Sequence, residues 1–379
     1  MRDGWEIKKL GEVCIIERGG SPRPIQSYLT DEPNGLNWIK IGDAVEGSKY
    51  IVSTKERIIP EGLKKTRFVH KGDFLLSNSM SFGRPYILAI DGCIHDGWLV
   101  IHDANNRFDK SFLYYYLSSK NIYAEFKRLA VGGVVNNLNS ELVRNVNVSI
   151  PPLAEQERIV AELDLLSGII EKQKQQLKEY DTLAQSIFYT MFGDPITNEK
   201  GWEVRKLHEI STLINGRAYK QQELLESGKY KVLRVGNFFT NSNYYYSDLE
   251  LEDDKYCDNG DLLFAWSASF GAFIWNGGKV IYHYHIWKVL FDKNALNIEY
   301  YRVLLNTMTS YFMNDVHGIG MVHLTKAGME QYDLPLPPLP LQQSFAAKIE
   351  AIEKQKELVK QSLAEAETLF NSRMDYYFN

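Results

Sequence analysis

Two stretches of this chain carry a long helical stripe of apolar positions. From Leu163 the pattern runs Leu166, Ile170, Gln173, Leu177, Tyr180, Ala184, Ile187 and Met191, at alternating spacings of three and four. That alternation is a heptad seam, the line along which one helix meets another. The same spacing recurs 186 positions on, through Ile349, Ile352, Lys356, Val359, Leu363, Ala366, Phe370, Arg373 and Tyr377. A shared register over about forty residues predicts a mutual antiparallel coiled coil, a rod of roughly 60 Å at about 1.5 Å per residue. The alternative is two amphipathic helices, each packed on its own domain. Gln173, Lys356 and Arg373 interrupt the stripe. Polar seam residues either fix register at some cost in stability or face a partner or solvent.

Outside these stripes the apolar period shortens. Trp38-Ile39-Lys40-Ile41-Gly42-Asp43 matches Val232-Leu233-Arg234-Val235-Gly236-Asn237, and Gly72-Asp73-Phe74-Leu75-Leu76-Ser77 matches Gly260-Asp261-Leu262-Leu263-Phe264-Ala265. Short apolar runs with glycine punctuation predict strands and turns. Aromatic helical stretches follow at 111–128 and 298–313, then the loops 131–138 and 317–324. The chain therefore says the same thing twice. Gly4-Trp5-Glu6-Ile7-Lys8-Lys9-Leu10 returns as Gly201-Trp202-Glu203-Val204-Arg205-Lys206-Leu207, and Ile150-Pro151-Pro152-Leu153 as Leu336-Pro337-Pro338-Leu339. So long a period is a duplicated domain with its own trailing helix, not a solenoid. The expected organisation is a globular copy over 1–150, a spacer helix over 151–193, a second copy over 194–336 and a second spacer helix over 337–379. The second copy is the shorter, with its losses expected in loops.

Composition narrows the choice. No stretch approaches eighteen apolar residues, and Met1-Arg2-Asp3-Gly4-Trp5 has no apolar signal region, so a cytoplasmic protein away from membranes is expected. The three cysteines are isolated and lack metal-ligand spacing. The net charge is −5, although the first globular copy is mildly basic. A free-standing tight DNA binder is usually more basic. Either DNA is not the ligand, or a partner supplies much of the phosphate contact.

A catalytic set is missing from the sequence. It holds no glycine-rich loop ending in Gly-Lys-Ser/Thr, no Asn-Pro-Pro-aromatic run, and no nucleophile–base constellation that sequence alone assembles. His283 and His285 stand two apart on an expected strand, where metal ligation needs further ligands and a structural or DNA-contacting role is the other reading. Glu250, Glu252, Asp253 and Asp254 read as a solvated loop. What remains is recognition chemistry. Arg18, Arg23, Gln26, Arg84 and Asn137 sit in or beside Gly/Pro/Ser-rich loops of the first copy. Arg217, Lys220, Asn237, Ser267, His323 and Lys326 hold comparable places in the second. Arg, Asn and Gln pair bidentately with purine edges, while Lys and glycine-loop amides suit phosphates. Any one of them alone is equally a solvated surface residue; the argument is their grouping in corresponding loops. Tyr244, Tyr245, Tyr246, Trp266 and the tyrosines at 114–116 stack on bases in one reading and pack the core in the other.

Taken in order, these motifs resemble the specificity subunit of type I restriction–modification systems. The Trp…Lys-Leu-Gly-Glu opening, the Gly-Asp-apolar strand, the glycine-rich loop ending in Asn137-Leu138, and Ile150-Pro151-Pro152-Leu153-Ala154-Glu155-Gln156-Glu157-Arg158-Ile159-Val160 carry the resemblance. The second copy departs from it at His208 and at Leu341-Gln342-Gln343. The resemblance implies an α+β fold in which two similar globular α/β target-recognition domains are separated by two long antiparallel coiled-coil helices with pseudo-twofold symmetry. It implies a non-catalytic subunit that recognises a bipartite, asymmetric site on double-stranded DNA. The implied partners are two modification (methyltransferase) subunits and restriction/translocase subunits. No cofactor is expected in this chain; S-adenosylmethionine, magnesium and ATP would belong to the partners. A methylation-only or phase-variable system without a nuclease, a single-chain enzyme, and a coiled-coil adaptor that binds only proteins are the competing readings.

Overall fold

The computed structural model describes residues 4–79, 82–130, 138–267, 269–314 and 324–379. They form two compact units. The first comprises residues 1–174 together with 361–379, and the second comprises residues 175–360. This division crosses the segments expected from the repeat, because each unit takes part of both long helices. The edges expected at 150 and 336 fall at the ends of two strands, Asn147–Ile150 and Asp333–Leu336.

In the first unit the opening strand Glu6–Lys9 pairs antiparallel with Asn147–Ile150, Glu6 opposite Ile150. A five-stranded sheet follows, ordered Ile15–Arg18, Trp98–His102, Phe74–Ser77, Pro85–Leu88, Tyr50–Ile51. A second sheet is ordered Glu56–Ile58, Leu36–Ile39, Gly92–Ile94, Arg67–Val69, with its two central strands parallel. The run Phe74-Leu75-Leu76-Ser77 lacks an apolar–polar alternation for a physical reason: both faces of its sheet are covered. Phe74 and Leu76 join the core formed with the helix Lys110–Ser118, while Leu75 joins Ile39, Ile94, Trp98 and Val100 between the sheets. Continuous apolar runs are the mark of strands buried on both sides.

The second unit repeats the plan. Glu203–Lys206 pairs with Asp333–Leu336. One sheet is ordered Ser211–Asn215, Ile286–Phe291, Leu262–Ala265, Gly271–Ile274, and the other Tyr245–Ser247, Tyr230–Leu233, Val280–Tyr282, Tyr256–Cys257. The parallel central pair is kept, with Val232 opposite Ile281 and Leu233 opposite Tyr282. Leu262 and Phe264 face one core and Leu263 the other. The strand Tyr50–Ile51 of the first unit has no counterpart among the described residues of the second.

The first long helix runs Leu153–Phe192 and the second Leu339–Phe378, 40 residues each. Within the first unit they run antiparallel. Glu162 meets Arg373, and the Gln173 amide donates to Ser362 Oγ at 2.6 Å. Lys174 also pairs with Glu367 at 2.8 Å. Within the second unit Lys356 reaches Asp181 at 2.8 Å. The polar interruptions thus bond across the pair. Of the seam residues, Leu163, Leu166, Ile349 and Ile352 are buried, and Ile170, Gln173, Leu177, Ile187, Val359, Leu363 and Phe370 are half-buried. Two helices alone bury a single stripe each, so the remaining faces stay in solvent.

The ends of each helix complete the cores. Tyr377 and Phe378 enter the first core beside Phe112 and Tyr116, and Phe188 and Phe192 enter the second beside Tyr300 and Phe345. Burying one such aromatic contributes about 1.5–3 kcal/mol. The short aromatic helices begin with matched caps. Asp109 Oδ1 accepts from Ser111 and Phe112, and Asn297 Oδ1 accepts from Glu299 and Tyr300, which satisfies two otherwise orphaned amides in each case.

Candidate nucleic-acid interface

Both units build the same turn where their parallel central strands end. In the first unit the chain leaves those strands at Lys40 and His95. His95 donates its backbone N–H to Ile39 O at 3.0 Å, Trp98 donates to His95 O at 3.0 Å, and Gly19 donates to Trp98 O at 2.9 Å. The second unit repeats these bonds as His283 to Leu233 O, Ile286 to His283 O and Gly216 to Ile286 O. The two glycines are required by contact: a Cβ on Gly19 would lie 2.3 Å from His95 O, and one on Gly216 would lie 2.3 Å from Tyr282 O. Each turn is closed by its histidine. Gly97 N–H donates to His95 Nδ1 at 2.9 Å, and His285 N–H to His283 Nδ1 at 3.4 Å. An accepting Nδ1 requires the neutral imidazole with its proton on Nε2. Burial agrees, lowering His95 below its ordinary value and His283 to about 4, the latter also through neighbouring His285 and Arg234.

The side chains set on this common turn differ between the units. In the first, Asp96 is the hub. Its carboxylate accepts from Ser21 Oγ at 2.8 Å and lies 3.0 Å from His95 Nε2, and its carbonyl accepts from Arg18 Nε at 2.8 Å and Asn78 Nδ2 at 3.0 Å. The guanidinium groups of Arg18 and Arg23 each stand 3.9 Å from Asp96 Oδ2, with 53% and 84% of their side chains exposed. Exposed pairs this long are weak, so both arginines keep donors available and can be redirected. Gln26 lies exposed on the turn Ile25–Ser27. Arg84 is committed elsewhere, 2.8 Å from Glu46.

In the second unit the hub is aromatic. Trp266 stacks on Trp287 at 5.5 Å, meets His285 edge-on at 5.1 Å, and donates its indole N–H to Tyr284 O at 2.8 Å. With Asn215, Leu324, Thr325 and Lys326 these rings line a hollow of about 360 Å³. Arg217 makes two bonds to Glu223, 2.7 and 2.9 Å, and lies 5.2 Å over the Tyr219 ring. That guanidinium, with the Lys220 backbone N–H, holds the Glu223 carboxyl down at about 2. The Lys220 side chain is exposed, and Lys326 lies 3.7 Å from Glu330. Asn237 and Ser267 are buried, at 6% and 1%. The Asn237 amide is spent on its own turn, accepting from Arg234 N and donating to Ser242 O.

The structure thus gathers Arg18 and Arg23 around Asp96, and Arg217 and Lys220 around Glu223, and buries Asn237 and Ser267. Asn137 and His323 lie outside the described residues. His283 and His285 were expected on a strand. They stand instead in the turn between Val280–Tyr282 and Ile286–Phe291, with ring centroids 4.7 Å apart. Glu250 is engaged by Lys229 and Tyr230. Sequence reasoning missed His95 and Asp96. The signal was the alignment of Ile94-His95 beneath Tyr282-His283, each at the end of a repeated strand.

Among the described residues no helix is long and apolar enough to cross a membrane. The family model of the type I restriction modification DNA specificity domain matches the chain twice, over residues 2–179 and 199–368. The chain is 23% identical over 378 residues to the type I restriction enzyme MjaIX specificity subunit of Methanocaldococcus jannaschii, covering 92% of this chain and 86% of that relative. It is 25% identical over 297 residues to the EcoKI specificity subunit of Escherichia coli, covering 69% and 61%. Its fold is similar to the type I restriction-modification S subunit from M. genitalium (TM-score 0.58, 13% identity, 99% of this chain and 96% of that one). It is similar also to a chain from a study of assembly and conformational transition in the type I R-M system (TM-score 0.59, 20% identity, 100% and 98%). With the model matched across both copies, this chain belongs to the type I restriction modification DNA specificity family.

Proposed function

We propose that each unit reads one half of a bipartite, asymmetric site on double-stranded DNA through the loops around its histidine-closed turn. The observation that carries this reading is one scaffold bearing two sets of side chains. The backbone bonds at His95 and His283 are the same, while Arg18, Arg23 and Asp96 in one unit give way to Trp266, Tyr284 and His285 in the other. A shared scaffold with different contact groups is what two unequal half-sites require. Exposed guanidinium donors match the two acceptors of guanine in the major groove.

The long helices serve as a ruler that sets the number of unread base pairs between the half-sites. Two modification subunits hold S-adenosylmethionine and act on an adenine that leaves the duplex. Magnesium and ATP belong to restriction/translocase subunits. Those partners also close round the duplex, which explains how a chain of net charge −5 serves a polyanion.

The test is to remove seven residues from each long helix, which keeps the seam in phase, and to map methylation in cells expressing the variant with its modification subunits. A loss of about 10 Å of helix removes about three base pairs of gap, with both half-sites unchanged. Altered half-sites with an unchanged gap would overturn the ruler. Methyl transfer by the purified chain alone would overturn the non-catalytic role.

A further inference from the structure

Gln156 and Gln342 are fully buried, at 0% exposure, and make the same three hydrogen bonds in the two units. Gln156 Oε1 accepts from Asp109 N at 2.8 Å, and its Nε2 donates to Arg107 O and Pro151 O, both at 2.9 Å. Gln342 Oε1 accepts from Asn297 N at 2.8 Å, and its Nε2 donates to Ala295 O at 2.9 Å and Pro337 O at 2.8 Å. Each amide therefore ties three segments: the first turn of a long helix, the strand exit that precedes it, and the cap of the short aromatic helix in the recognition domain.

The surroundings of this joint are shared only in part. Rings pack head to helix in both units, Phe112, Tyr116 and Phe378 in the first and Phe188, Phe192, Tyr300 and Phe345 in the second. The first unit adds polar fastenings further along its helix, Tyr115 and Lys49 on Asp164 at 2.5 and 2.8 Å. Between the copies Arg107 becomes Ala295, Asp109 becomes Asn297 and Glu155 becomes Leu341, while the glutamine and its bonding pattern stay. Apolar packing at the joint fixes distance but permits rotation and sliding. Three directional bonds to backbone atoms of separate segments do not, because a buried amide that shifts leaves donors and acceptors unmatched.

We infer that Gln156 and Gln342 are positioning residues that set the inclination of each recognition domain on its helix, and through it the discrimination between gap lengths. The inference rests on the bipartite reading above. One base pair of gap is about 3.4 Å along the duplex and a rotation of roughly 35°, so a joint that yields by a few ångströms accepts the neighbouring gap.

The experiment uses the full chain assembled with its modification subunits. Synthetic duplexes carry the two mapped half-sites with the native gap or with one base pair added or removed, and methyl transfer from labelled S-adenosylmethionine is measured on each. Gln156→Met and Gln342→Met keep the side-chain length and remove the amide. Each should narrow the preference for the native gap by about tenfold or more, within the roughly hundredfold loss that a misplacement of about 1 Å brings to positioned chemistry. A merely structural role lowers transfer on all gaps in one proportion, and an unchanged ratio in the assembled variants overturns the inference. Gln156→Asn and Gln342→Asn retain donors and acceptor but shorten the reach, and decide the matter in the same way where the Met variants do not assemble. Absence of a gap preference with the unaltered chain would overturn the bipartite reading itself, a result distinct from variants that keep the preference.

Discussion

Phe378 lies edge-on to Phe112, with ring centroids 5.6 Å apart, and at the same distance from Tyr116. The far end of the second long helix is thereby part of the first unit's core, and the two units share both helices rather than one each.

Phe378→Ala should cost the first unit about 3 kcal/mol, within the range for deleting a buried aromatic ring. Hydrogen exchange locates the effect. Protection of the amides around Phe112 and Tyr116 should fall, and that around Phe264 and Tyr300 should not. Equal losses in the two cores would contradict the assignment.

Glu162 binds Arg373 and Tyr377 across the helix pair, and those bonds, Arg373 first, hold its carboxyl below the usual carboxylate range. A depressed carboxyl contributes stability above its ordinary value, about 4.3, and that contribution is lost as pH falls through the lower folded value. The melting temperature of Glu162→Gln should lie below that of the unaltered chain at pH 7, and the gap should close on acidification. A gap that persists well below pH 4 would mean that the charge is not the cause.

His283 is neutral in the fold and should titrate near 4, well under the ordinary value of about 6.5. Its folded value is depressed, so the stability it lends is present above 6.5 and declines as pH falls towards 4. Side-chain NMR of the histidines checks this. A midpoint at or above 6.5 is incompatible with an Nδ1 that accepts from His285 N–H.

Arg23→Ala should relax base choice in one half-site by about 1–3 kcal/mol of discrimination, the worth of one bidentate base contact, and Arg217→Ala, whose guanidinium is held by Glu223, should relax the other by less. Methylation mapping reads both halves at once. Relaxation of both by either substitution would show that the units do not read independently.

The architecture was legible where the signal was local and repeated. Two long helices follow from a heptad pattern written twice in one register, and the strands at Phe74–Ser77 and Leu262–Ala265 from apolar runs that also recur. The recognition cluster was legible only in part. Arg18 and Arg23 stood out by type and loop context, but the Asp96 that organises them comes from a segment 75 positions beyond Ser21, marked only by the match of its neighbours Ile94-His95 to Tyr282-His283 in the second copy. Asn237 misleads for the opposite reason: an asparagine in a glycine-flanked loop has the composition of a contact residue, yet its amide is consumed by the turn. Composition gave no hint of the compact units, because a boundary inside a continuous helix leaves no break in its pattern.

The sharing of both helices bears on synthesis. Lys120 bonds to Asp375, 255 positions later, so the first recognition head is translated long before the strand of helix that seals it. Domains made early generally fold as they emerge. This one must wait with Phe112 and Tyr116 uncovered, and its maturation is coupled to the appearance of its twin. A ribosome that stalls after the first repeat therefore yields a head without the Phe378 ring that closes its core.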